Sequence, residues 1–124
     1  MYSVVFYQTR GGDAPVQDFL SRLHAKTKIK TLRWLELLEK EGPRLKRPYA
    51  DYVSDKLYEL RIRLASDHIR ILYAFFDKQK IVLLHSFRKR DQKLRDMDIR
   101  MAKQRYDDFM IRYANKELEF DHEI

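Results

Sequence analysis

A chain of 124 residues with no cysteine and a formal charge of +7 is long enough for one self-sufficient core, holds no disulfide and is compatible with a reducing compartment. No apolar run approaches the roughly 18 residues of a membrane span, and the opening MYSVVFYQTR lacks the regions of a secretion signal, so a cytoplasmic setting with no membrane partner is expected. The charge is unevenly placed: from Arg88 to Arg105 eight basic residues face three acids, whereas the tail after Lys116 carries Glu117, Glu119, Asp121 and Glu123.

Tyr2–Tyr7 is short, β-branched and aromatic, and reads as a strand. The loop at Arg10–Asp13 leads into a helix, with Asp13 the expected N-cap and Pro15 in the first turn, where a missing N–H costs little. Val16, Phe19, Leu20 and Leu23 recur at i, i+3, i+4 and i+7, one apolar helix stripe. A second helix is predicted from Lys28 to Glu41, with Ile29, Leu32, Leu35 and Leu38 as its buried row and Trp34 and Leu37 beside it. Gly42-Pro43 stops it. Pro43–Lys56 is polar and interrupted by Pro48, and reads as a connection that Tyr49 and Tyr52 pack down.

Leu57–Leu64 then alternates strictly, with Tyr58, Leu60, Ile62 and Leu64 on one face and Glu59, Arg61 and Arg63 on the other. Ala65-Ser66-Asp67 breaks the run before His68–Phe76, and Asp77–Lys80 separates that run from Ile81–Phe87. Two short loops between consecutive strands imply an antiparallel meander. Leu94–Ala114 reads as a helix whose apolar stripe is Ile99, Ala102, Tyr106, Phe109, Met110 and Tyr113, and the acidic residues after it read as loose. The expected class is α+β in the order β-α-α-β-β-β-α, with the helices on one face of an antiparallel sheet and Glu59, Arg61 and Arg63 on the open one. The first strand fits either edge of the meander or a place between its strands. Arg70 shares a face with His68 and Leu72; whether Arg61 shares it too depends on register. One domain over residues 1–116 is expected, followed by a flexible acidic tail over 117–124.

Several chemistries find no support. Gly11-Gly12 lacks the rest of a phosphate loop, His24, His68, His85 and His122 lack metal-ligand spacing, and no serine sits in a nucleophile elbow. No carboxylate pair stands out, and no histidine is paired with a glutamate or a second histidine. Neither metal nor cofactor is expected. What remains is Arg, Lys, Tyr and His around one sheet. An arginine between apolar neighbours must leave the core face or find a partner, so Arg61 and Arg70 read equally as surface ion pairs or as an anion site. His85 and Phe87 read first as core, and Tyr58 and Tyr73 as half-buried sheet residues. Guanidinium and ammonium groups on an open sheet suit metal-free RNA cleavage, in which the 2′-OH attacks the adjacent phosphorus and leaves a 2′,3′-cyclic phosphate and a 5′-OH. Arginine forks fit the non-bridging oxygens, and Lys, His or Tyr exchange the protons.

The strings Leu57-Tyr58-Glu59-Leu60-Arg61, Arg70-Ile71-Leu72-Tyr73 and Val82-Leu83-Leu84-His85-Ser86-Phe87-Arg88-Lys89-Arg90 resemble the HigB-type, phage-derived branch of the RelE/ParE toxin superfamily. Pro15 ahead of Phe19-Leu20, the leucine-rich helix ending at Gly42, Leu45 before Pro48, Gln92-Lys93, and Ile99, Ala102 and Arg105 extend the likeness over most of the chain. The resemblance implies a RelE-like, microbial-ribonuclease-type fold. It implies a type II toxin, usually an endoribonuclease cutting mRNA on the ribosome, with a co-encoded HigA-like antitoxin that often carries a helix-turn-helix. The catalytic positions it implies are Arg61, Arg70 and Lys89; Glu59, Tyr73 and His85 are further catalytic or positioning candidates. Ser86 stands where the family commonly has Gly, Arg88-Lys89-Arg90-Asp91 replaces a small residue, Lys-Lys and Thr, and Leu94-Arg95 stands where Thr-Pro often opens the helix. ParE-type members bind gyrase and cut no RNA, so a protein-binding toxin and a plain basic RNA-binding domain remain as competing readings.

Arg63, Arg88, Arg90, Lys93, Arg95, Arg100 and Lys103 are the expected RNA contacts, the alternative being a solvated helix face. Replacing Lys93, Arg95, Arg100 and Lys103 together with Gln is expected to weaken ribosome binding and flatten its salt dependence without moving cleavage sites, because phosphate contacts position without reading sequence. Ribosome co-sedimentation across a salt series checks this; an unchanged affinity and slope would reduce the segment to a solvated face.

Overall fold

The structure is a computed structural model that describes residues 1–89 and 95–118, Arg95 by its backbone alone. It holds five strands, β1 (Ser3–Phe6), β2 (Ala50–Ser54), β3 (Leu57–Leu64), β4 (Asp67–Phe76) and β5 (Lys80–Arg88), and three α-helices, α1 (Pro15–Ser21), α2 (Ala25–Glu41) and α3 (Arg95–Ala114). The strands form one sheet in the order β1-β5-β4-β3-β2.

The meander β3-β4-β5 is antiparallel, as the short loops require, with Leu60 opposite Ile71 and Arg61 opposite Arg70. β1 joins at the edge, parallel to β5, with Val4 opposite Ile81, so the sheet is mixed rather than wholly antiparallel. The segment read as a connection contributes a strand, β2, which pairs antiparallel with β3 through Ala50 opposite Leu60. An edge strand needs no alternating pattern and tolerates a proline just before it, so five residues behind Pro48 carry little signal.

Helices cover both faces, not one. On the first face Leu60, Ile62, Ile69, Ile71, Tyr73, Ile81 and Leu83 pack against Val16 and Leu20 of α1 and Leu35 and Leu38 of α2. On the second, Leu57, Leu72, Ala74, Phe76, Val82 and Leu84 pack against Ala102 and Phe109 of α3. The reason lies in β4 and β5, whose near-continuous apolar runs leave greasy side chains on both sides of the pleat.

Two helix details depart from the sequence reading. α2 starts at Ala25 and buries Thr27, Thr31, Leu35 and Leu38, leaving Ile29 52% and Leu32 39% exposed. The buried threonines are both satisfied: Thr31 Oγ1 donates within the helix to the Thr27 carbonyl at 2.8 Å, and Thr27 Oγ1 donates across to Asp67 of β4 at 3.3 Å. Asp13 does not cap α1. The N-cap position is Ala14, and Asp13 instead closes the preceding loop: its carbonyl accepts from the Thr9 N–H, and its N–H donates to Thr9 Oγ1. Glu117 meets Arg10 at 3.2 Å and Leu118 packs against the α3-side core, while residues 119–124 lie outside the described ones. Among the described residues no helix is long and apolar enough to cross a membrane.

Gly42, which ends α2, has φ +53°, and a Cβ there would run into the Tyr2 ring. Gly42→Ala is expected to destabilise by at least ~1 kcal/mol. Gly12→Ala, with φ +96° and open space around the position, should cost less. Paired denaturant titrations check the ranking.

Candidate functional site

At the Glu59–Leu72–His85 row the second sheet face changes from apolar to charged. Register decides the question that sequence left open. Arg61 lies directly opposite Arg70, and Arg70 opposite Phe87, so the three share the face that α3 packs on. Two guanidiniums side by side repel, and a buried one needs a counter-charge. Glu59 supplies it: its Oε1 is 3.8 Å from Nε of Arg61 and 3.8 Å from Nε of Arg70. The Glu59 and Arg70 side chains are 3% and 6% exposed, the Arg61 side chain 30%. Glu59 is therefore not on an open surface, and Arg61 is the member of the trio that solvent reaches.

Lys89 follows directly on β5, where its N–H continues the ladder to the His68 carbonyl at 2.8 Å. Arg63 is exposed opposite His68, two residues along the pleat from Arg61. Arg88 does not join them. It pairs in register with Ile69, bonds Asp67 at 2.8 Å and lies over the Phe19 ring of α1, and its hydrogen bond holds the Asp67 carboxyl below the usual carboxylate range. Tyr73 is also off the site. It is buried in the α1–α2 core, and that burial pushes its hydroxyl far above the ordinary tyrosine value, so it neither meets a substrate nor exchanges a proton at Arg61. Arg100 is exposed on α3, and Lys103 ties α3 to Asp55 at 2.8 Å. Arg90, Lys93 and the Arg95 side chain lie outside the described residues.

Sequence reasoning missed a second group because its members are far apart in the chain. His85 Nε2 is 2.7 Å from Asp98 Oδ1 on α3, and its ring stacks on Phe87 at 5.5 Å between centroids. Arg105 donates to the Leu84 carbonyl at 2.8 Å and lies 3.4 Å from His85 Nδ1. Burial pushes the imidazole below the ordinary histidine value; the Asp98 bond opposes this and the Arg105 charge adds to it. Beside this group a cleft of about 350 Å³ opens between α1 and α3, lined by Asp13, Asp18, Phe19, Arg22, His85, Ser86 and Arg105. No signal short of the folded register relates Asp98 or Arg105 to His85. Among the described residues no group of three His, Cys, Asp or Glu side chains is arranged to hold a metal ion.

Glu59→Gln removes the shared counter-charge from two guanidiniums, one of them buried. It is expected to destabilise by about 3–5 kcal/mol, and adding Arg70→Met is expected to restore much of the loss. Equilibrium unfolding of the single and double variants checks both signs.

The model of the family "Phage derived protein Gp49-like (DUF891)" matches residues 18–107. A search of curated proteins finds no match to the chain. The matched span runs from α1 into α3 and takes in Glu59, Arg61, Arg70, His85, Lys89, Asp98 and Arg105. With most of its length so matched, the chain belongs to the Gp49-like family of phage-derived proteins, a RelE/toxin-like family.

Proposed function

We propose that the protein is the toxin of a type II toxin–antitoxin pair of the HigB-like branch, and that it cleaves mRNA on the ribosome without a metal. The observation that carries this reading is the facing of Arg61 and Arg70 across β3 and β4, on the face where the ladder continues to Lys89. Glu59 holds both guanidiniums. Arg61, the solvent-facing one, then presents its remaining donors to a phosphodiester, where a planar fork binds two non-bridging oxygens and counters the charge that grows as the 2′-oxygen attacks. Arg70 acts from behind, by fixing Glu59. Its burial makes it a supporting cation rather than a phosphate ligand, and so changes the role that the resemblance implied.

The ribosome enters through geometry. A cleft of about 350 Å³ is at the small end for a ligand site and open to solvent, so it offers few walls to hold in line the splayed dinucleotide that the attack requires. Holding the 2′-OH in line is a positioning contribution of several kcal/mol, supplied by the partner that grips the message. The toxin's own inhibitor would be a co-encoded HigA-like antitoxin, carrying a helix-turn-helix if it follows the family habit.

The burial of Arg70 also favours a second reading, a toxin that binds a protein such as gyrase and cuts nothing. Induced expression followed by primer extension on total mRNA separates the two: discrete cuts support the nuclease, and intact mRNA with DNA-damage signalling supports the protein binder. For the nuclease, Arg61→Ala is expected to abolish growth arrest with the fold retained and to lower ribosome-dependent cleavage by about 10²-fold or more. Arg61→Lys should lose most of the activity as well, since an ammonium cannot bridge two oxygens. Free RNA should be cut poorly, and the products should end in 2′,3′-cyclic phosphate; efficient cutting of a free oligonucleotide would overturn the ribosome requirement.

A further inference from the structure

The Arg61–Glu59–Arg70 trio stabilises charge, but its arginines stay protonated and its one carboxylate, Glu59, is 3% exposed and engaged by both guanidiniums, so it is poorly placed to take the 2′-OH proton. The cleft at the edge of β5 beyond its pairing with β1 offers a better-placed base. Asp98 accepts from His85 Nε2 at 2.7 Å, which places the single ring proton of the neutral imidazole on Nε2 and makes Nδ1 the accepting nitrogen. Nδ1 is directed at Arg105, but at 3.4 Å, while the shorter bond of that guanidinium goes to the Leu84 carbonyl. His85 and Arg105 both line the cleft, and the other charged groups that face it among the described residues are Asp13, from the loop before α1, and Asp18 and Arg22 of α1. Phe87 stacks on the ring and fixes its plane. His85 is the register partner of Leu72 on β4, so it stands one strand, about 4.8 Å, from the strand of Arg70 and two from that of Arg61.

Resting on the endoribonuclease reading, we propose that His85 is the general base of the cleavage, that a nucleotide of the message seats in the cleft with its 2′-OH at Nδ1, that Asp98 positions the ring, and that Arg105 meets the phosphate beside it. Nδ1 takes the proton from the 2′-OH as the 2′-oxygen bonds to phosphorus. The bond from phosphorus to the 5′-oxygen breaks, and that oxygen leaves with a proton from solvent or from the imidazolium. The products are a 2′,3′-cyclic phosphate and a 5′-OH, with no change of oxidation state. Burial and Arg105 keep the imidazole below its ordinary value, so the ring is in its basic form at neutral pH.

The test is single-turnover cleavage of ribosome-bound mRNA across a pH series spanning the histidine range. For the wild type the rate should rise with pH through one ionisation below the ordinary histidine value and then level. His85→Gln should lose that limb and about 10²–10⁴-fold in rate. Asp98→Asn removes a group that raises the imidazole value, so its limb should move to lower pH while the plateau falls. Melting curves establish that each variant is folded. If His85→Gln cuts at the wild-type rate and with the wild-type profile, the proposal is overturned while the nuclease reading stands. If wild-type protein cuts no ribosome-bound mRNA at any pH, the nuclease reading itself has failed. Should His85→Gln not fold, the Asp98→Asn profile decides, and an unmoved limb overturns the proposal.

Discussion

The constraint on which the structure depends is that β4 and β5 are buried on both faces. Ile69, Ile71, Tyr73, Ile81 and Leu83 face one side, while Leu72, Ala74, Phe76, Val82 and Leu84 face the other. A sheet that is apolar on both sides cannot leave either to water, so α1 and α2 take one face and α3 must cross to the second. A cluster of polar bonds holds α3 there. The Tyr7 hydroxyl donates to Asp108 at 2.7 Å, and Arg112 bonds both Asp108 and the Gln8 carbonyl, tying the helix to the chain at the end of β1.

Where the apolar ladder stops, the same sheet turns to charge, and burial dictates the pairing. Arg70 sits beside the core with almost no access to water, so Glu59 on the next strand must stay with it. Arg61 shares that carboxylate from the solvent side. A buried trio of this kind adds little to stability, yet removing one member costs heavily. It fixes the orientation of the exposed guanidinium, which a surface arginine alone does not achieve.

The cleft has a different origin. β1 pairs with β5 only from Lys80 to Leu83, so from Leu84 onward the β5 edge loses its strand neighbour. An exposed sheet edge leaves backbone groups wanting partners, and Arg105 reaches from α3 to take the Leu84 carbonyl. That reach carries Arg105 to His85, and α1, packed along the same strand, forms the opposite wall. A polar pocket therefore opens where a short strand ends, next to the charged end of the sheet.

Sequence alone determined the elements whose pattern is local. The strict alternation of Leu57–Leu64, the short loops of the meander and the punctuation by Pro15 and Gly42 all follow from period and turn chemistry within a few residues. The likeness to phage-derived toxins, carried by short strings with fixed order, pointed towards the family whose model matches the chain. Tertiary structure decided everything that joins distant residues. It set the register that faces Arg61 with Arg70, the burial that turns Glu59 from a surface charge into a counter-ion, the removal of Tyr73 and Arg88 to the opposite face, and the meeting of His85 with Asp98 and Arg105. It also chose the stripe of α2 that is buried: Thr27 and Thr31 rather than Ile29 and Leu32. The physical reason is the same in each case. Hydrophobic periodicity states that a side chain has a preferred face, but which charges must pair, and which apolar groups stay wet, depends on the distance and desolvation set by neighbours far along the chain.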